Sequence, residues 1–244
     1  MPFIGVKSVD STNNYALARA HAGLAQHGEA IFAHEQVAGK GQMGKLWTSG
    51  KDENIILSIV ADPHPLQLTQ QFQLSAAVAL GVYDFFAKYA GDDTKIKWPN
   101  DLYWKDRKAG GILIESIVGS SESGVWKWAV IGTGININQT SFSEALINPV
   151  SLKQITGKSF DVIALAKELC ATINDRFTEL LNDGFSNIYE QYISHLYKRN
   201  EIVKLKKDSR VFEATIKTVS TSGRLIVQHS IEEEFDFGEI EWVK

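Results

Sequence analysis

The sequence predicts an α+β protein, in which a mixed β-sheet packed with helices is followed by a small antiparallel β-barrel. Up to residue 199, apolar strand-like runs are interspersed with long helically periodic segments. After residue 199, about five short strand patterns follow one another with glycines at the turns. The length of 244 residues, 44% of them hydrophobic, suits one large and one small domain. We therefore place a first domain at residues 1–199 and a C-terminal β domain at 200–244.

The first half of the chain opens with short elements and ends in a long helix. Ser11 and Thr12 precede a short helix that ends near Gly23. Two buried strands and one long helix with few breakers follow, at 30–33, 54–61 and 68–90. The polar segment between the two strands is rich in glycine, which predicts a loop.

The second half of the first domain is predicted to be β-rich and then helical. Its strand patterns lie at 95–98, 102–104, 111–118 and 126–138, with a polar hairpin signal at 120–124. Asp161 caps a helix that runs to about 182, and 185–198 predicts another. The C-terminal strands are predicted at 201–207, 211–219, 224–228, 234–237 and 239–243, with Glu232, Glu233 and Glu234 in a solvated turn.

Composition excludes several classes of protein. No apolar run reaches the roughly 18 residues of a membrane helix, and the N-terminus lacks the pattern of a signal peptide. The single cysteine, Cys170, excludes an internal disulfide and is predicted to be a buried structural thiol, while the scattered histidines predict no zinc site. A net charge of −4 is unlike that of a basic nucleic-acid binder. We expect a cytoplasmic protein that binds neither DNA nor membranes.

The glycine-rich loop at 39–45 matches two known nucleotide motifs, and both fail on their context. Gly39, Gly41 and Gly44 satisfy G-x-G-x-x-G, but a strand is predicted to follow them instead of the required helix. The same loop satisfies G-x-x-x-x-G-K, but Leu46 stands where a serine or threonine must reach the metal. What remains is a cationic loop with exposed N–H groups, which suits an anionic ligand or is simply a mobile surface loop.

Five motifs, taken together and in this order, resemble the biotin protein ligases. They are Asp10-Ser11-Thr12-Asn13, Glu35-Gln36-x-x-Gly39, Lys97-Trp98-Pro99-Asn100-Asp101, Lys108-Ala-Gly-Gly-Ile-Leu-Ile-Glu115 and Gly132-Thr-Gly-Ile-Asn-Ile-Asn138. The resemblance covers the chain from about Ser8 to Asn138, and the C-terminal β domain is similar to the SH3-like domain of that family. It implies the biotin/lipoate ligase-like fold and, because the chain starts just before the first motif, the monofunctional class without an N-terminal DNA-binding domain.

The resemblance also implies a reaction, its co-substrates and a partner. The family joins biotin to ATP as biotinyl-5′-AMP in the presence of Mg²⁺, and passes the biotinyl group to a lysine of a biotin carboxyl carrier domain. No covalent protein nucleophile is required, because the biotin carboxylate itself attacks the α-phosphorus. Positioning and charge stabilisation are therefore the work expected of the protein. Several members of the family form homodimers through sheet edges, and the sequence leaves this open here.

The resemblance assigns residues to both ligands. Lys108 is the expected catalytic residue, beside the biotin carboxylate and the α-phosphate. The residues expected to bind biotin are Ser11, Thr12, Asn13, Gln36, Gly39, Lys40, Gly41, Gln42, Lys108, Gly111, Gly132 and Gly134, the last three because a side chain there would collide with biotin. The residues expected to bind ATP are Lys40, Gln42, Lys45, Trp47, Asn100, Asp101, Lys108 and Asn136.

Three further expectations concern the nucleotide. Asp101 is the expected Mg²⁺ contact, directly or through water. The segment 139–150 corresponds to a loop that orders over the adenylate. The usual family loop is GRGRxGR, whereas this chain has Lys40, Gln42 and Lys45 at the arginine positions. Lysine loses the bidentate fork and Gln42 loses the charge, so we expect weaker retention of the adenylate or compensation elsewhere.

Other functions remain open from the sequence. A lipoate or octanoate ligase or transferase shares the fold and a catalytic lysine, although the KWPND motif and the glycine loop favour biotin. A non-catalytic sensor of biotinyl-AMP is indicated only by the missing loop arginines, and the retained Lys108, Asn100 and Asp101 argue against it. The C-terminal barrel is also a candidate protein-interaction module.

Trp98, the second residue of the KWPND motif, is expected to lie in the core.

Overall fold

The computed structural model describes residues 2–119 and 124–243. The large domain is built on a seven-stranded sheet with the order β1-β2-β3-β7-β6-β5-β4. Its strands are β1 (Phe3–Val6), β2 (Glu29–Ala33), β3 (Ile55–Ala61), β4 (Thr94–Lys97), β5 (Asp101–Trp104), β6 (Arg107–Val118) and β7 (Trp126–Ile135). Only β1 and β2 run parallel, and the other neighbours are antiparallel. The predicted fold class, a mixed sheet packed with helices and followed by a small β domain, is confirmed.

The helices lie on both faces of the sheet. They are α1 (Thr12–His21), α2 (Gln71–Ala90), α3 (Leu152–Thr156), α4 (Val162–Asp183) and α5 (Phe185–Ser194). The large core joins one sheet face to α2 and α4, with fully buried Leu57, Leu80 and Phe85 among its members. A smaller cluster of Ala16, Ile31, Val60 and Val130 packs α1 on the other face. Because α1 covers only part of that face, the rest is available for a site.

The C-terminal domain is a five-stranded antiparallel sheet with the order β11-β10-β9-β8-β12. Its strands are β8 (Ile202–Lys207), β9 (Arg210–Val219), β10 (Leu225–Gln228), β11 (Glu232–Phe235) and β12 (Glu241–Val243). Buried Leu205, Ile216 and Val227 form its centre. Its turn at Gly223 meets the large domain, where the Trp98 indole donates to the Gly223 carbonyl at 2.8 Å and lies buried, as expected.

Several sequence predictions are corrected by tertiary pairing. Glu232–Glu234 are not a turn but pair with β10 as part of β11. The last helix ends at Ser194, because the backbone at His195 and Tyr197 pairs with Ile96 of β4. The strand β1 and the short helix α3 were not predicted. Of the predicted hairpin signal at 120–124, residues 120–123 lie outside the described residues.

Candidate active site

One face of the large sheet is bare at its centre because glycines replace side chains there. Register places Asp101 opposite Gly111, and Gly111 opposite Gly134. In the next row, Leu113 and Ser58 lie on either side of Gly132. These rows share a face with Val130, which packs under α1. The bare area is therefore a shallow floor that lies next to the N-terminal residues of α1.

The space above these glycines is used by other side chains of the candidate site. A Cβ added at Gly132 would overlap the Asn13 amide, and one added at Gly134 would overlap the Trp47 indole. At Gly111 an added Cβ would lie 3.4 Å from Asp101 Oδ1 and 3.6 Å from Lys108 Nζ. At Gly132 and Gly134 protein side chains therefore occupy the space that a side chain would need, whereas at Gly111 an added Cβ would make only ordinary van der Waals contacts.

The start of α1 forms a polar end of the floor. Ser11, Thr12 and Asn13 are each less than 5% exposed. Gln36 Oε1 accepts from the Thr12 backbone N–H at 2.8 Å and lies 3.3 Å from its hydroxyl. Ser11 precedes α1 in extended conformation without a capping bond from its side chain. Donors and acceptors of the kind that a urea group needs therefore meet at one place.

The glycine loop closes over this end as a compact turn. Gly39 is buried, and an added Cβ there would overlap the Trp47 carbonyl and the Gln36 amide. The Gly41 N–H donates to the Lys45 carbonyl at 2.7 Å, and residues 42–44 form one 3-10 turn. Lys40 and Lys45 are exposed, and Gln42 is half-buried. No α-helix follows before β3, so both nucleotide motifs that the loop imitates fail as predicted.

Lys108 and Asp101 form an ion pair at the opposite end of the floor. The Lys108 ammonium lies 2.6 Å from Asp101 Oδ1, and the two side chains are 34% and 22% exposed. The neighbouring Asn100 is fixed by backbone bonds with Ile112, whose carbonyl accepts from its amide at 2.5 Å. A half-exposed ammonium held by a single carboxylate is able to exchange that partner for an anionic ligand.

Asn136 is buried at the base of segment 139–150. Its amide donates to the Val150 carbonyl at 3.1 Å, and its backbone N–H donates to Ala109. The Lys108 backbone in turn bonds Asn148 and Val150. Asn136 therefore ties the end of this segment to the strand that carries Lys108. Ile147 within the segment is 72% exposed, which leaves an apolar side chain available to cover a ligand.

Lys97 is a site cation that the sequence interpretation did not single out. Its ammonium lies 4.7 Å from the Tyr103 ring centre and 4.8 Å from that of Trp242 of the C-terminal domain. The pKa of Lys97 is lowered to about 8, chiefly by burial; nearby Asp101 opposes this shift, and Lys108 and Lys45 add to it. Within the described residues no carboxylate lies within ion-pair distance of this ammonium. Its place in the KWPND motif was the available signal.

Ser58 and Glu115 are two further polar residues of the site that were not predicted. Ser58 is fully buried, and its hydroxyl oxygen lies 2.6 Å from Asn13 Oδ1 and 2.7 Å from Thr12 Oγ1. Glu115 Oε2 accepts from the Asn13 amide at 2.7 Å, and Glu115 Oε1 lies 4.0 Å from the Lys40 ammonium. The signal for Ser58 was a lone polar residue on the otherwise apolar strand β3, and the signal for Glu115 was its place at the end of the Lys108 motif.

Side chains outside the floor offer neither a metal-binding cluster nor an accessible thiol in the described residues. In the part of the chain that the structure describes, no group of three histidine, cysteine or carboxylate side chains is placed to hold a metal ion. Cys170 is buried, as expected, and burial raises the pKa of its thiol to about 12. Among the described helices, none is long and apolar enough to cross a membrane.

Comparison with known families and sequences gives a consistent result. Residues 5–136 match the model of the biotin/lipoate A/B protein ligase family. The biotin–[acetyl-CoA-carboxylase] ligase of Paracoccus denitrificans is 30% identical over 227 residues, which cover 90% of this chain and 91% of that protein. The bifunctional ligase/repressor BirA of Bacillus spizizenii is 34% identical over 168 residues. The match covers 67% of this chain and 50% of BirA, so the chain spans about half the length of that relative.

Comparison with solved structures supports the same fold. The biotin protein ligase from Aquifex aeolicus in complex with biotin and ATP superposes with a TM-score of 0.81 at 24% identity. The superposition covers 100% of this chain and 99% of that protein. Because both domains are included, the likeness extends to the C-terminal β domain.

Proposed function

Because the chain belongs to the biotin/lipoate A/B protein ligase family, we propose that it is an ATP-dependent biotin ligase. The biotin carboxylate attacks the α-phosphorus of ATP, and pyrophosphate leaves as biotinyl-5′-AMP forms. A lysine amine of the carrier then attacks the acyl carbon, and AMP leaves. One observation carries the proposal: a glycine floor has urea-matching polar groups at one end and the Lys108 ammonium at the other.

Biotin binding is proposed for the polar end and the floor. Thr12 and Gln36 offer hydroxyl and amide groups to the ureido ring, with Ser11 and Asn13 beside them. The glycines of the loop and floor, Gly39, Gly41, Gly111, Gly132 and Gly134, leave room around the ligand, at Gly132 and Gly134 by letting Asn13 and Trp47 pack directly against the strand. The apolar chain of biotin then points its carboxylate towards Lys108.

ATP binding is proposed for the cationic end. Lys108 stabilises charge that develops on the phosphoryl oxygens and later on the acyl oxyanion. Asp101 holds this ammonium until the phosphates arrive. Lys40, Gln42 and Lys45 of the loop, with Trp47, Asn100 and Asn136, complete the nucleotide side. Because Gln42 is neutral, the loop contributes one positive charge fewer than the usual arginine loop.

Magnesium is proposed to enter with the triphosphate. Asp101 is a single carboxylate already paired with Lys108, which fits a secondary contact to a phosphate-bound ion and not a cage made by the protein. Mg²⁺ normally keeps several waters and binds substrate phosphates with one or two carboxylates. The ion would neutralise phosphate charge, and Asp101 would reach it directly or through water.

The proposed partner is the biotin carboxyl carrier domain of a biotin-dependent carboxylase, and the proposed compartment is the cytoplasm. The name of the Paracoccus relative, which specifies acetyl-CoA carboxylase, supports this choice of acceptor. No DNA or membrane partner is proposed. A homodimer remains an arrangement to be tested by sedimentation.

The test is ATP–pyrophosphate exchange by the purified protein with Mg²⁺ and biotin, lipoate or octanoate added separately. Exchange that depends on biotin alone is the expected result, and it isolates adenylation from the carrier. Exchange with lipoate or octanoate instead would overturn the substrate. Biotin binding without any exchange would replace the ligase with a sensor of biotin or its adenylate.

A further inference from the structure

The polar end of the floor contains a chain of hydrogen bonds whose direction is fixed. We propose that Glu115, acting through Asn13 and Ser58, is a positioning residue that makes the Thr12 hydroxyl an acceptor for a ureido N–H of biotin. This inference rests on the proposed function and extends it to Ser58 and Glu115, to which the sequence analysis assigned no role.

The chain starts at Glu115, whose carboxylate only accepts hydrogen bonds when ionised. It lies 2.7 Å from Asn13 Nδ2, and the Leu113 carbonyl lies 3.3 Å from the same nitrogen. Both acceptors therefore turn the NH₂ group of Asn13 towards β6. The amide is held over Gly132, where any side chain would overlap it. This leaves Asn13 Oδ1 pointing at Ser58.

The direction then passes to Ser58, which has one hydroxyl proton. Asn13 Oδ1 can only accept, and it lies 2.6 Å from Ser58 Oγ, so the Ser58 proton is directed to it. Ser58 Oγ also lies 2.7 Å from Thr12 Oγ1, a distance that requires a proton between the two oxygens. That proton must come from Thr12.

Thr12 is consequently a donor to the protein and an acceptor towards the ligand. Gln36 Oε1, at 3.3 Å from the Thr12 hydroxyl, already accepts from the Thr12 backbone N–H at 2.8 Å. With its proton committed to Ser58, the hydroxyl oxygen keeps lone pairs for an incoming N–H. A cyclic urea supplies such N–H groups, whereas a fatty acid or a dithiolane does not. Glu115 would thus set selectivity without touching biotin.

This relay of hydrogen bonds, from Glu115 through Asn13 and Ser58 to Thr12, is tested by measuring KM for biotin, KM for ATP and kcat in ATP–pyrophosphate exchange. Glu115→Leu removes the terminal acceptor and frees the Asn13 amide to flip. We expect KM for biotin to rise at least tenfold, with kcat and KM for ATP within twofold of the wild type. Glu115→Gln retains an acceptor oxygen and should restore KM for biotin to within threefold.

Ser58→Ala breaks the same relay at another point and removes little volume. It should raise KM for biotin as Glu115→Leu does, and the double variant should show no further increase because the two act in series. Ser116→Ala is the matched control, since Ser116 follows Glu115 on β6 and contacts Gln71 on the opposite sheet face. It should leave KM for biotin unchanged.

The outcomes separate the relay from the ligase itself. A wild type without biotin-dependent exchange overturns the proposed function. Normal wild-type exchange with KM for biotin unchanged in Ser58→Ala overturns only the relay, and this variant decides the matter if Glu115→Leu does not fold. If KM for biotin rises as much in Glu115→Gln as in Glu115→Leu, an acceptor oxygen at this position is not sufficient, and the proposed role of Glu115 is overturned.

Discussion

The Lys108 ammonium lies 2.6 Å from Asp101 Oδ1, and this ion pair lies directly over Gly111, whose missing side chain leaves room for it. The pair joins β5 to β6 and is partly open to solvent, so each partner is held without being sealed. Desolvation at such a site is modest, and so is the cost of exchanging one partner for phosphate. Asp101 therefore holds Lys108 in position while its ammonium stays partly open to solvent.

Replacing Lys108 by alanine should abolish adenylation while leaving the fold intact. The substitution removes an ammonium placed for developing phosphoryl charge, for which losses of about 10²–10³ in kcat are typical. ATP–pyrophosphate exchange measures the loss, and circular dichroism checks the fold. Lys105→Ala is the matched control, because Lys105 is an exposed lysine in the turn between β5 and β6, three positions before Lys108. Near-normal exchange in Lys108→Ala would remove Lys108 from the mechanism.

Replacing Gln42 by arginine should slow the escape of biotinyl-5′-AMP. The change restores a positive charge and a bidentate donor to the glycine loop. Release of labelled adenylate from the enzyme, followed in the absence of carrier, should become several-fold slower. Met43→Arg adds the same charge at the next position, which is 67% exposed, and should have a smaller effect. Equal release from wild type and Gln42→Arg would mean that retention depends on other residues.

Replacing Gly132 by alanine should weaken biotin binding and destabilise the protein. The new methyl group would overlap the Asn13 amide, whose bonds to Ser58 and Glu115 prevent an easy shift. Overpacking of this kind costs about 1–3 kcal/mol, and KM for biotin should rise at least tenfold. Gly5→Ala is the control, because a Cβ at Gly5 meets nothing within 4 Å. If Gly132→Ala bound biotin normally, the Asn13 position would be adaptable.

Replacing Lys97 by methionine should change how stability depends on pH. Burial lowers the Lys97 pKa from 10.5 to about 8 in the folded protein. Between these values the unfolded chain binds more protons than the folded one, so the free energy of unfolding gains a contribution that rises with pH. Urea titrations from about pH 7.5 to 10.5 should show this rise in the wild type and a smaller one in Lys97→Met. A matched Lys105→Met variant should behave like the wild type.

Most elements of the fold were predictable because their patterns are local. The apolar runs at 30–33 and 54–61 and the breaker-poor helix at 68–90 match β2, β3 and α2 closely. The misses occurred where pairing overrides the local pattern. Three adjacent glutamates indicate a turn, yet they form β11 because Phe235 is buried and β10 offers its free edge. The strand β1 forms by parallel pairing with β2, and no pattern in the local sequence predicts that pairing.

The candidate site was predicted only in part for a similar reason. Motifs identified Lys108, Asp101, Thr12 and Gln36, whose proposed roles remain to be tested. Ser58 lies in no motif, and Glu115 closes the Lys108 motif without an assigned role. They meet Asn13 from 45 and 102 positions away in the sequence. The donor and acceptor roles that they impose become visible only when the strands are in register.

The sequence by itself determined the fold class and the identity of the groups available for chemistry, because both follow from local periodicity and from residue types in order. Tertiary structure alone decided what those groups touch. The register of β3, β6 and β7 places Ser58, Leu113 and Gly132 in one row beneath Asn13. The pairing of β5 with β6 brings Asp101 within ion-pair distance of Lys108. A hydrogen bond or ion pair forms only if the distance between its atoms is correct to within a few tenths of an ångström. Only the packed sheet fixes distances this closely between residues so far apart in the chain.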